Sequence, residues 1–161
     1  MTITKISETS WDAILHIQEE AYTGVAPEDV DVLKGKWEIS PESCFVYTVV
    51  NEPVLAYLLA HSWNSLEPPK LFEQVPENSV GDILYLHDLA VSNRARGMGV
   101  GKQLAKKLIE VAKVHQYSKV LLVAIQDSSR FWASLGFREI SSVPVCSSYG
   151  DDAKLMSLEV F

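Results

Sequence analysis

The sequence predicts an α/β sandwich, a mixed sheet flanked by helices, on three observations. Strand-length apolar runs alternate with segments of helical periodicity. Two of the runs, residues 44–50 and 54–60, are separated only by the reversal Asn51-Glu52-Pro53 and so read as a hairpin. A third, residues 83–91, passes through a glycine-rich turn straight into a strongly periodic helix, the strand–turn–helix unit of α/β proteins.

The elements follow in order. Residues 3–6 open the fold as a short strand. Thr9 or Ser10 offers an N-cap for a helix over 11–22, with Ile14, Leu15 and Ile17 on its apolar face. Residues 23–27, Thr-Gly-Val-Ala-Pro, break it. Pro27 suits the first turn of a second helix running to about Trp37, where Glu28, Asp29 and Asp31 complement the positive helix end and Gly35 is a weakness. After the hairpin comes a long connection, residues 64–80, carrying Pro68, Pro69 and Pro76; loops of that length are often functional. The third strand and its helix, residues 102–115, are followed by a buried strand over 119–125 and a short helix over 128–135. Closing strands occupy 136–143 and 154–161. The order is β-α-α-β-β-β-α-β-α-β-β.

The chain of 161 residues is read as one domain, residues 1–161, with 47 % apolar and 22 % charged residues, the balance of an ordinary soluble protein. No apolar run approaches the ~20 residues of a membrane span, and the N-terminus lacks the stretch of a signal peptide. Two cysteines, Cys44 and Cys146, are too few for a disulfide framework, and the four histidines show no metal-ligand spacing. A cytoplasmic protein without a metal is expected. A net charge of −7 argues against nucleic acid as partner and is compatible with a cationic amine.

Arg96-Gly97-Met98-Gly99-Val100-Gly101 carries the function. A strand that stops at a glycine turn before a helix aims backbone N–H groups and a helix dipole at an anion, so a phosphorylated ligand is expected. A P-loop needs Ser or Thr after its Lys, and Lys102 is followed by Gln103. A dinucleotide fingerprint needs its third glycine one residue later than Gly101, and the residues near 120–123 give no acidic ribose clamp. R-x-x-G-x-G is filled by Arg96, Gly99 and Gly101. With the strand before it and Arg130-Phe131-Trp132-Ala133-Ser134-Leu135-Gly136-Phe137 after it, the chain resembles the GNAT superfamily of N-acetyltransferases. The resemblance spans nearly the whole chain and is strongest over 83–137.

That resemblance implies a mostly antiparallel sheet and acetyl-CoA as co-substrate. Leu89, Ala90 and Val91 would meet the pantetheine arm, and Arg96, Gly97, Met98, Gly99, Val100, Gly101 and Lys102 the pyrophosphate. Gln126, Ser129 and Trp132 would complete the cofactor site. Strand alternation puts Tyr85, His87, Leu89 and Val91 on one face and Leu86, Asp88 and Ala90 on the other. His87 is the candidate base for an amine whose pKa is near 10.4, since imidazole titrates near neutrality. Asp88 is the alternative base, or a helix cap or salt-bridge former. Residues 84–91 look like the arylalkylamine branch of the superfamily, with His87 at one of two histidine positions and Tyr85 at the other; residues 56–63 look like it too. Trp63 and the proline loop would wall the amine pocket, with Tyr85. Many members carry Tyr where this chain has Trp132, which cannot shuttle a proton; Tyr149 could replace it, or solvent could serve. The implied activity is acetyl transfer to a small primary amine, an arylalkylamine or polyamine, by a monomer or homodimer. The alternatives are acetylation of a protein N-terminus or lysine, and a non-catalytic acyl-CoA sensor.

Overall fold

A computed structural model describes residues 2–22, 26–76 and 78–161; the break expected at Thr23, Gly24 and Val25 lies outside them. The elements are β1 (Thr2–Lys5), α1 (Trp11–Ala21), α2 (Val30–Ile39), β2 (Phe45–Thr48), β3 (Ala56–Trp63), β4 (Ile83–Val91), α3 (Val100–Val114), β5 (Lys119–Ala124), α4 (Ser129–Ser134), β6 (Arg138–Glu139) and β7 (Lys154–Glu159), in the order the sequence predicts. The sheet has seven strands, β1-β2-β3-β4-β5-β7-β6. Every pair is antiparallel except β4 with β5.

Every residue of β3 is buried, so both sheet faces are covered. Leu58 and Ala60 join Leu104, Leu108 and Ala112 of α3 in one core, at the spacing that puts one helix face on a sheet. Tyr57 and Leu59, pointing the other way, pack with Ile14 and Ile17 of α1 and Leu33 of α2. Beyond the reach of those helices the second face is closed by loops: Val75, Ile140, Val143 and Val145 pack on Trp63, Tyr85 and Leu121. Apolar residues read as a long strand over 136–143 are therefore a loop lid, and β6 keeps only Arg138 and Glu139.

The second helix departs from its reading at both ends. Asp29, extended at φ −63° and ψ 148°, is the N-cap, and its carbonyl accepts from Val32 and Leu33. Pro27 and Glu28 consequently precede the helix, and Glu28 is free to turn inward. At the other end the helix passes Gly35 to Ile39. A Cβ at position 35 would stand 2.1 Å from Gln74 Oε1, and Gln74 Nε2 donates to the Asp31 carbonyl (3.0 Å). Gly35 is where the β3–β4 loop lies against α2.

Two irregularities position the site. Leu59 pairs with Asp88 while Ala60 pairs with Leu86, so His87 is the extra residue of a β-bulge. The bulge breaks the alternation expected along β4. Leu89 and Val91 pack toward α3 with Leu84 and Leu86. Asp88 and Ala90 instead join His87 on the side of α1 and α2, where Asp88 meets Tyr57. Secondly, β4 and β5 pair only from Ile83–Leu86 against Lys119–Leu122. Past that point β4 stays on β3 and β5 on β7, and the sheet splits.

Candidate active site

The split is a slot of about 300 Å³ between the diverging strands, floored by Leu86 and Leu122 and walled by Leu89, Ala90, Val91, Gly101, Gln126, Phe131 and Trp132. At its end lies the glycine turn. Gly97 (φ +77°) and Gly99 (φ +71°) take left-handed conformations that favour glycine, and nothing lies within 4 Å of where their side chains would be. Gly99 caps α3, leaving the first N–H groups of a fifteen-residue helix facing outward. Arg96, Gly97, Met98, Gly99 and Lys102 are exposed along the turn, and Val100 is buried under it. An apolar slot ending in an anion-accepting turn fits the pantetheine arm and pyrophosphate of acetyl-CoA. Ser129 does not face the slot; it opens with Arg130 onto a hollow on the outer side of α4, and Ser128 takes its place.

A second hollow, about 50 Å³, adjoins the slot and shares Tyr22, His87, Val123 and Ile125 with it. Gln18, Ala26, Pro27, Glu28, Leu71, Asp88 and Tyr149 complete its wall. His87 stands at the junction of the two. Its Nε2 hydrogen-bonds Glu28 Oε1, and both side chains are buried. Glu28 Oε2 accepts from the Phe72 backbone N–H (2.8 Å) and lies 3.8 Å from Lys36 Nζ. Burial pushes the Glu28 carboxyl upward, but the hydrogen bond and charge of His87, the charge of Lys36 and the Phe72 N–H outweigh it and bring it to about 2. Glu28 is thus a carboxylate and can only accept, so His87 Nε2 carries the hydrogen. The other ring nitrogen, Nδ1, is buried with no hydrogen-bond partner among the described residues.

Asp88 lies beside this pair. Tyr57 donates to its Oδ2 (2.5 Å), and Tyr22 donates to the Leu89 carbonyl (2.9 Å). Burial raises the Asp88 carboxyl, against the pull of His87 and the two phenols; burial likewise raises Tyr22 and Tyr57. Tyr149 is buried, its hydroxyl donating to the Pro69 carbonyl (2.5 Å) and 3.4 Å from the Tyr85 hydroxyl. Burial pushes its phenol up to about 12. Tyr149 lines the second hollow and is not part of the slot wall. Tyr85 sits behind it. Trp63 goes elsewhere: its Nε1–H donates to the Glu67 carbonyl (2.9 Å), and it lines a separate hollow of about 350 Å³ inside the proline loop.

The structure therefore gathers His87, Tyr149, Leu89, Ala90, Val91, Gly101, Gln126 and Trp132 around two joined hollows and leaves Trp63, Tyr85 and Ser129 outside them, Tyr85 because it is packed into the core with Trp63 and Leu121. Sequence reasoning missed Glu28 and Tyr22 and set Asp88 on the wrong face. The signal for Glu28 was the aspartate after it: with Asp29 as N-cap, Glu28 cannot be helical.

A split sheet with a glycine turn at the mouth of the slot and a buried histidine at its inner end defines an acetyl-CoA-dependent acetyltransferase. The chain matches the acetyltransferase (GNAT) family over residues 11–137 and belongs to it. An uncharacterized N-acetyltransferase of Methanocaldococcus jannaschii is 27 % identical over 161 residues, covering 97 % of this chain and 90 % of the relative. Among solved structures, Ard1 from Thermoplasma volcanium superposes with a TM-score of 0.77 at 21 % identity, covering 99 % of this chain and 97 % of that one. The ribosomal-protein-S18-alanine N-acetyltransferase of Escherichia coli does so at 0.72 and 20 %, covering 99 % and 93 %.

Proposed function

We propose that this N-acetyltransferase acetylates a primary amine that enters head-first, with His87 as the base that deprotonates it. The carrying observation is the junction itself: one histidine bounds both hollows, and its hydrogen-bonded Nε2 leaves Nδ1 as the lone pair. An alkylamine is almost wholly protonated at neutral pH, and removing that proton is worth ~10²–10⁴ in rate. The carboxylate of Glu28 favours a cationic head. Tyr149 shapes the wall; its proton is held by Pro69, so the leaving thiolate takes a proton from solvent.

The hollow also bears on which amine. At about 50 Å³ it is a third of the ~150 Å³ that encloses a benzene ring. It admits an aminomethyl head and keeps an aromatic body outside, which favours a polyamine over an arylalkylamine. The same narrow head would suit the α-amine of a protein N-terminus, and one of the fold's neighbours bears the name of a ribosomal-protein-S18-alanine N-acetyltransferase. Release of free CoA thiol over a panel of polyamines, arylalkylamines and N-terminal peptides decides among them. Turnover is expected with polyamines and to fall about a hundredfold or more in His87→Ala. Undiminished turnover in that variant removes His87 as base, and CoA binding without turnover on any amine favours a sensor.

A further inference from the structure

Lys36 has no exposed side-chain surface. It projects from α2 beside the buried Val32 and Leu33, and its Nζ makes no hydrogen bond among the described residues. Its nearest opposite charge is Glu28 Oε2 at 3.8 Å. An apolar residue would serve packing better there, because a buried ion pair is often less stable than its hydrophobic replacement. The charge itself is what the site retains.

What it does follows from the catalytic cycle proposed above. A base is neutral before it takes a proton and charged afterwards, so His87 cannot compensate Glu28 throughout. With the imidazole neutral, the pull of the His87 charge on Glu28 is gone. Lys36, itself lowered by burial and raised again by Glu28, is the cation that remains beside the carboxylate, with the Phe72 N–H still bonded to it. Without Lys36, a buried carboxyl beside a neutral imidazole would take up a proton. A protonated Glu28 could then donate to Nε2, leaving the ring hydrogen on Nδ1 and abolishing the lone pair that the base needs. We infer that Lys36 is a positioning residue for acetyl transfer: it holds Glu28 as a carboxylate, and Glu28 holds His87 in the tautomer with Nδ1 free.

This inference rests on the reading of His87 as base, and its test separates the two. The groups bearing on Glu28 are His87, Asp88 and Tyr85 of β4, Lys36 of α2, Tyr57 of β3 and Tyr149 of the β6–β7 loop. Lys36→Met removes one of these charges and nearly preserves volume. A fall in kcat of about 10–100-fold at pH 7 is expected, as for lost orienting partners of a histidine. The acid limb of the pH–rate profile should move to higher pH, and the KM for acetyl-CoA should stay the same. Lys36→Met/Glu28→Gln, with no unpaired charge, should regain stability and not kcat. Recovery of kcat together with stability would show a merely structural lysine. Wild-type kcat and profile in Lys36→Met, with His87→Ala inactive, overturn the role of Lys36 alone; an active His87→Ala overturns the base and Lys36 together. Should Lys36→Met not fold, nitrogen-15 NMR of His87 in the wild-type protein decides. Hydrogen on Nε2 at neutral pH is expected, and hydrogen on Nδ1 refutes the inference.

Discussion

Two buried residues of opposite kind set the acid response of this molecule. His61 is buried in β3, its Nδ1 2.9 Å from the Ser62 carbonyl, and burial lowers it from 6.5 to about 3. The folded chain therefore holds it neutral while the unfolded chain protonates it below pH 6.5. Its contribution is whole above that value and is lost as pH falls from 6.5 toward 3, at most about 5 kcal/mol. Glu28, lowered from 4.5 to about 2, keeps its contribution above pH 4.5 and loses it from there down, about 3 kcal/mol. The two windows overlap between pH 4.5 and 3, so only the stretch from 6.5 to 4.5 belongs to His61 alone. In urea unfolding, His61→Asn, which keeps a donor near the Nδ1 position, should flatten the loss of stability between pH 6.5 and 5, and Glu28→Gln should reduce the loss below 4.5, which the two residues share down to pH 3. A slope between 6.5 and 5 that survives in His61→Asn would mean another group titrates there. Neither residue announced itself in the sequence. His61 sits in an apolar run whose strand character was plain, but a neutral, buried imidazole depends on which strands flank it. Glu28 looked like a dipole-complementing residue because Pro27 mimics a helix start.

At the level of elements, what was legible and what was not divides by range. The strand–turn–helix at residues 83–114 was readable because glycine spacing, apolar run and helical period are all local. The bulge at His87 was not, since it exists only as a mismatch in register between β4 and β3. It turns Asp88 to the side opposite the one that alternation gives, and no residue of β4 advertises it. Within the readable unit, Gly97 and Gly99 owe their identity to positive φ, but Gly101 does not. A methyl at 101 would sit 3.7 Å from Val91 Cγ2 and Phe131 Cζ, an ordinary contact. Gly101→Ala should therefore fold, with stability equal or higher by up to ~1 kcal/mol from helix propensity. The same methyl projects into the slot between β4 and α4, so the KM for acetyl-CoA should rise about tenfold, ~1.4 kcal/mol. Unchanged affinity for CoA in that variant would place the arm elsewhere.

The whole molecule is a sheet nearly cut in two. Strands β1 to β4 form one wing and β5 to β7 the other, joined within the sheet by four residue pairs between Ile83–Leu86 and Lys119–Leu122. Helix α3 backs the seam, contributing Leu104 and Leu108 to a core that also holds Leu84, Leu86, Val120 and Leu122. Beyond the seam, the edges of β4 and β5 facing the slot have no strand partner in each other, and buried backbone groups need one. A ligand arm lying in the slot would supply amide groups to those edges and apolar surface to Leu89, Val91, Ile125 and Trp132. Binding should then tie the wings together. CoA at a hundred times its Kd should raise the unfolding free energy by about 2.7 kcal/mol, whatever its contacts. The informative quantity is where protection appears. Hydrogen exchange should slow most at residues 87–91 and 123–126, on both sides of the slot, and at the first turn of α3. The seam residues 83–86 and 119–122, already paired, should change least. Protection confined to the glycine turn and α3 would mean that the phosphate end alone is gripped and the wings stay independent; protection on both flanks would make the split sheet the clamp that holds the acetyl group beside His87.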